Sequence, residues 1–145
     1  MAHGMDAAVQ SVLSRAKLLY LATCEDSHPH LSLMTFSLVD GYIVMTTRKN
    51  TKKYTSIVAN PHVALLIHDF DNAERAGTYS VTCYGTVEVV ADEAVAASLR
   101  LAHGLRNPGY EQFISASECA VIRVRVTQFK LCNISDEVSL YSPAT

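Results

Sequence analysis

Charged residues are scarce in this chain of 145 residues: they make up 18% of it and balance to a net charge of −2. With no overall basic excess, there is no electrostatic footprint for a nucleic-acid backbone. A hydrophobic fraction of 49% argues against disorder and for one domain with a real core. The four cysteines (Cys24, Cys83, Cys119 and Cys132) include no C-x-x-C pair. That spacing argues against a zinc site, so no metal is expected. The chain opens without a secretory leader and has no apolar run long enough to span a bilayer. The expectation is therefore a reducing, cytoplasmic setting with free thiols and no membrane partner. Internal repeats, linkers and low-complexity stretches are also absent.

What is present is a series of short apolar segments separated by turn residues. Val9, Val12, Leu13 and Ala16 fall at helical spacing, so residues 5–16 read as an amphipathic helix. Leu18 to Thr23 reads as a buried strand, Cys24 to Pro29 as a turn and His30 to Val39 as a second strand. An apolar phase shift between Leu33 and Met34 suggests a bulge. Asp40-Gly41 is a hairpin signal leading into a strand from Tyr42 to Thr47. A short helix over 52–59 stops at Asn60-Pro61, and His62 to His68 reads as a fourth strand. Asp71 to Gly77 is a polar loop. Alternation around Val81, Cys83, Val87 and Val89 gives a fifth strand, with Gly85 as a bend or close-approach point. Asp92 starts a helix carrying Val95, Leu99 and Ala102 on one face. Residues 104–117 read as irregular, with a turn at Asn107-Pro108-Gly109. Ile122, Val124 and Val126 open a last strand that runs on toward Ile134. Six closely spaced strands with few helices predict an antiparallel barrel rather than a doubly wound sheet.

The chemistry concentrates at Thr46-Thr47-Arg48-Lys49-Asn50-Thr51-Lys52-Lys53, where a strand ends and a helix begins. The free N–H groups and positive end of a helix favour an anion, and hydroxyls and cations add donors suited to a phosphate. A solvated charged turn with Thr51 as N-cap is the plain alternative. No Ser-His-Asp or Cys-His constellation is apparent. His28, His30, His62 and His68 read as strand-end or solvent-facing residues, and His103 as a charge serving a helix dipole. Tyr79 and Tyr84 are candidates for ring stacking or interface packing. Arg123 and Arg125, on one strand face, suit an interface or solvent.

Leu21-Ala22-Thr23, Pro29-His30, Asp40-Gly41, Thr46-Thr47, Lys53 and Asn60-Pro61-His62-Val63-Ala64 occur in an order and spacing that resembles the pyridoxamine 5′-phosphate oxidase-like FMN-binding split barrels. The resemblance implies a six-stranded antiparallel split β-barrel with flanking short helices. Residues 1–17 would hold the N-terminal helix, 18–134 the barrel and 135–145 a tail. It also implies a homodimer with FMN in a cleft between subunits. By position, Thr46, Thr47, Thr51, Lys52 and Lys53 fall in the family's phosphate-binding segment. Ser32, Leu33, Met34 and Thr35 fall beside its flavin ring. Ser32, Ser37 and Ser80 stand where the oxidases proper have arginine, lysine and glutamine, and the longer C-terminal substrate-binding segment is lacking. The resemblance thus points to a flavin-dependent oxidoreductase acting on something other than pyridoxamine phosphate, with NAD(P)H as a candidate donor. No catalytic residue is assigned. The alternatives are a flavin or haem carrier or sensor, a user of a deazaflavin, and a barrel that has lost its cofactor.

Overall fold

A computed structural model describes residues 6–69, 79–116, 118–133 and 135–143. The expected loop from Asp71 to Gly77, the strand end at Ile134 and the start of the first helix lie outside the described residues. The chain runs α1 (Ala7–Arg15), β1 (Leu18–Glu25), β2 (His28–Thr35), β3 (Ser37–Val39), β4 (Tyr42–Arg48), α2 (Lys52–Ala59) and β5 (His62–His68). It continues through β6 (Tyr79–Val89), α3 (Glu93–Arg106), α4 (Glu111–Ile114), β7 (Cys119–Asn133) and β8 (Val138–Tyr141).

All described strand pairs are antiparallel, in the order β2-β1-β5-β6-β7-β4-β3, with β8 pairing a free stretch of β7. The two ends of that path, β2 and β3, are separated in sequence by Phe36 alone. The sheet therefore curls back on itself as a split β-barrel. The single second strand expected from His30 to Val39 is two strands with different partners: β2 pairs β1, and β3 pairs β4. No bulge interrupts Leu33 and Met34, because the β1–β2 register runs unbroken from Glu25↔His28 to Leu18↔Thr35. The phase shift instead announces the change of partner at Phe36, whose ring is fully buried. This division and β8, formed by part of the expected tail, explain eight strands where six were expected.

Local signals act where the sequence places them. Asp6, Thr51 and Asp92 cap α1, α2 and α3 by accepting hydrogen bonds from backbone N–H groups of the first turn. Asp40 and Gly41 have φ of 51° and 83°, as a tight hairpin requires. The turn expected over Cys24 to Pro29 narrows to Asp26-Ser27, which also have positive φ. A register shift falls at Tyr84/Gly85. A Cβ on Gly85 would lie 2.4 Å from the backbone oxygen of Arg125, so only glycine permits this approach.

One cluster fills the barrel, with Leu19 and Leu21 of β1, Ile43 and Met45 of β4, and Leu65 and Ile67 of β5 among its members; Val9, Val12 and Leu13 of α1 plug it. A second joins Val44 and Val121 to Leu99 of α3. β4 and β7 are thus covered on both faces, which explains why Ile43-Val44-Met45 and Val121-Ile122 read as unbroken apolar runs. Among the described residues no helix is long and apolar enough to cross a membrane.

Candidate functional site

The strand-to-helix junction opens onto a pocket of about 330 Å³. Leu33, Met34 and Thr35 of β2, Thr46 of β4 and Lys53 of α2 line it, together with Leu18, Tyr110 and Phe113. Five of the nine residues nominated from sequence therefore meet in one cavity. They meet because β2 and β4 flank the place where β3 closes the barrel, and α2 starts where β4 ends.

The other four serve different ends. Lys52 Nζ lies 3.2 Å from Glu25 Oε1, which also accepts from Ser56 Oγ, so this cation is turned to the β1–β2 hairpin. Thr51 Oγ1 donates to the Arg48 carbonyl at 2.8 Å and accepts from Tyr54 N–H, as a cap. Thr47 is buried, 3.4 Å from Thr51 through their hydroxyls. Ser32 Oγ sits 3.4 Å from His30 Nδ1 on the β2 face opposite Leu33. Arg48 pairs with Glu118.

Lys53 differs from these cations. Its ammonium makes a 3.3 Å contact to the Met34 thioether, a weak acceptor, and among the described residues no carboxylate joins the pocket lining. Burial lowers its pKa, the mark of a partly desolvated cation. Thr46 Oγ1 donates to the Phe113 carbonyl at 2.8 Å, so toward a ligand it can only accept. Tyr110 and Phe113 were missed from sequence, because residues 104–117 read as irregular. In fact α3 persists to Arg106 and α4 follows. An aromatic pair beside a turn rich in glycine and proline was the available signal.

Among the described residues no cluster of three or more His, Cys, Asp or Glu is placed to hold an ion. His68 stacks on Tyr20, and no described histidine lines the pocket. His103 is no helix-dipole charge. It is fully buried, its Nδ1 lies 2.7 Å from Ser37 Oγ and 3.2 Å from Asn107 Nδ2, and burial plus the neighbouring Arg106 lower its pKa to about 4. Arg123 pairs with Glu88 and stacks on Tyr42. The cysteines are free, and burial pushes the Cys83 thiol up to about 12, which makes it inert.

A second cavity, about 350 Å³ and almost wholly apolar, lies on the outer face of β1, β2, β5 and β6, between Tyr20, Leu31, Ala64 and Leu66. Leu31 and Leu33 are 67% and 57% exposed there, with Tyr20, Leu66 and Tyr84 near 40%. Leu33 belongs to this face and to the Lys53 pocket alike, since it pairs with Tyr20 across the β1–β2 ladder.

Comparison with known proteins fits this architecture. A pyridoxamine 5′-phosphate oxidase homolog of Schizosaccharomyces pombe is 38% identical over 47% of this chain and 41% of its own. The chain spans less than half the length of this relative and of a second from Saccharomyces cerevisiae. A haem-binding protein of Mycobacterium smegmatis superposes with a TM-score of 0.82 at 18% identity, over 93% of this chain and 56% of that one. An FAD-binding protein of Mesorhizobium loti gives 0.72 at 18% identity, over 97% and 96%. At such identities these structures share the fold. Residues 5–133, nearly the whole barrel, match the pyridoxamine 5′-phosphate oxidase family, and the chain belongs to it.

Proposed function

We propose that this chain binds FMN in the Lys53 pocket, as a homodimer, and serves as a flavin-dependent oxidoreductase whose substrate is not pyridoxamine phosphate. The observation that carries the reading is Lys53: a half-buried ammonium with a thioether as its contact, facing an otherwise apolar and hydroxyl-lined cavity. A desolvated charge is costly unless an opposite charge joins it. A phosphate would do so, each charge-assisted hydrogen bond contributing roughly 1.5–3 kcal/mol. The first-turn N–H groups of α2 add donors and a favourable dipole. These residues fit a phosphorylated, ring-bearing cofactor. Lys53 and the start of α2 would hold the phosphate, and Leu33, Met34, Thr35 and Thr46 would flank the ring. When bound, FMN supplies the redox chemistry, so the protein need only bind, orient and exclude water.

Homodimerisation is supported by the apolar face of β1, β2 and β5. Monomers rarely leave such a patch uncovered, and a second copy seated there would also wall the Lys53 pocket through Leu33. Serine at 32, 37 and 80 argues against pyridoxamine phosphate as substrate. Ser37 moreover is buried and engaged by His103, out of reach of any ligand in the pocket.

Titration with FMN, followed by absorption and thermal midpoint, tests the reading. Saturation at one FMN per subunit with a rise in midpoint is expected, as ligand linkage requires. Lys53→Ala should weaken binding about tenfold or more, the loss of one charge-assisted bond. Lys52→Ala, removing the cation held by Glu25, should leave affinity nearly unchanged. No saturation and no shift would overturn the proposal. Steady-state NAD(P)H oxidation then separates an enzyme from a carrier.

A further inference from the structure

Tyr110 and Phe113 face each other at the start of α4, with ring centroids 6.5 Å apart and planes tilted by 45°. They are 42% and 48% exposed, yet both line the Lys53 pocket. Their position is imposed by polar contacts from neighbouring elements. The Thr46 hydroxyl donates to the carbonyl of Phe113, and the Arg100 guanidinium donates to the carbonyls of Ile114 and Cys119. α4 spans four residues and has no side-chain cap, so these tethers hold it against β4 and α3. Two half-exposed rings are thereby fixed at the pocket mouth.

The polar inventory of the pocket narrows what can lie against those rings. Among the described residues Lys53 is the single cation in the lining, and the cofactor phosphate would engage it. Thr46 has committed its proton to Phe113. With Leu33, Met34 and Thr35 beside the flavin ring, what remains is Leu18, the two aromatic rings and the Tyr110 hydroxyl. Such a surface neutralises no second anion, while aromatic faces favour stacked or edge-on conjugated rings.

We infer that Tyr110 and Phe113 form the recognition wall for the second ligand of this site, and that this ligand is a flat, uncharged conjugated ring rather than a phosphorylated compound. The inference rests on the flavin reading of the pocket and names the substrate class.

The test uses the FMN-loaded chain and two probes that perturb the flavin absorption band on binding. These are menadione, an uncharged fused-ring quinone, and pyridoxal 5′-phosphate, a ring carrying a phosphate. Menadione should saturate at a Kd at least about tenfold below that of pyridoxal 5′-phosphate. Tyr110→Ala and Phe113→Ala, each measured at saturating FMN, should raise the menadione Kd about tenfold, as loss of a stacking partner does. Phe113→Leu, which keeps apolar volume without a ring, should recover only part of the loss. Equal or tighter binding of pyridoxal 5′-phosphate overturns the inference, as does menadione binding indifferent to both alanine variants. Should a variant fail to fold, the comparison of probes on the wild-type chain still decides. A chain that takes up no FMN removes the flavin reading and this one with it. Uptake of FMN with the wrong probe order removes this one alone.

Discussion

Acidification from pH 7 to 4 should cost the fold about 3 kcal/mol through one side chain, His103. The ring is fully buried at the end of α3. Ser37 Oγ and Asn107 Nδ2 lie 2.7 Å and 3.2 Å from Nδ1. Nε2 is buried with no hydrogen-bond partner among the described residues. Adding a second proton would place a charge beside Arg106 in a dry site. Burial first, and Arg106 second, thus lower the pKa from 6.5 to about 4. The unfolded chain binds a proton at 6.5 and the native one at about 4, so stability is complete above 6.5 and falls with pH through that window. The gap corresponds to about 3 kcal/mol. The assay is urea unfolding at several pH values and one protein concentration, comparing the wild type with His103→Gln, so that other titrating groups cancel. The wild type should lose about 3 kcal/mol more than the variant between pH 7 and 4. Parallel pH profiles would refute the reasoning, as would a His103 proton resonance in the native protein that titrates near 6.5.

The same physical arguments bear on other positions. Gly85→Ala should cost about 1–3 kcal/mol, as overpacking does, because the added Cβ would lie 2.4 Å from a backbone oxygen and 2.9 Å from Val124 Cγ1; an unchanged thermal midpoint would contradict this. Arg106→Met should lower stability by about 2–4 kcal/mol, since its guanidinium donates to the carbonyls of Phe36, Leu13 and Ala16. The same change should raise the His103 titration midpoint, read by NMR. Leu33→Glu should shift sedimentation from dimer toward monomer, while a species unchanged in mass would place the subunit contact elsewhere.

Much of the architecture was legible because it is written in local chemistry. Thr51 and Asp92 announced helix starts, Asp40-Gly41 a hairpin, and Gly85 a close approach. The change of partner at Phe36 was not legible, because alternation reports which face is buried and is silent on which strand lies alongside. The segment from Thr46 to Lys53 was visible as a cluster of hydroxyls and cations. Its internal division was not, since Lys52 and Lys53 are adjacent and equivalent until Glu25, far off in sequence, claims one of them. His103 was misread for a related reason: its position near a helix end is a local fact, whereas its burial against Ser37 is a tertiary one. Tyr110 and Phe113 escaped because a four-residue helix held by distant side chains leaves no periodicity.

The one-residue joint at Phe36 also shapes the order in which the chain assembles. The hairpins β1–β2 and β3–β4 are consecutive in sequence and close on short turns, so each can form early with little loop-closure entropy. By contact order the event expected last is the arrival of β7, which must pair with β6 and also with β4, where Met45 meets Ile122. That contact spans about half of the chain, and such non-local pairings slow folding. Until β7 docks, the long edges of β4 and β6 stand open in a half-built molecule with its apolar interior exposed. The expectation is that a nascent or heated chain is most prone to aggregate in this interval. Substitutions in β7 should then act chiefly on the unfolding rate, and those in the two early hairpins on the rate of folding.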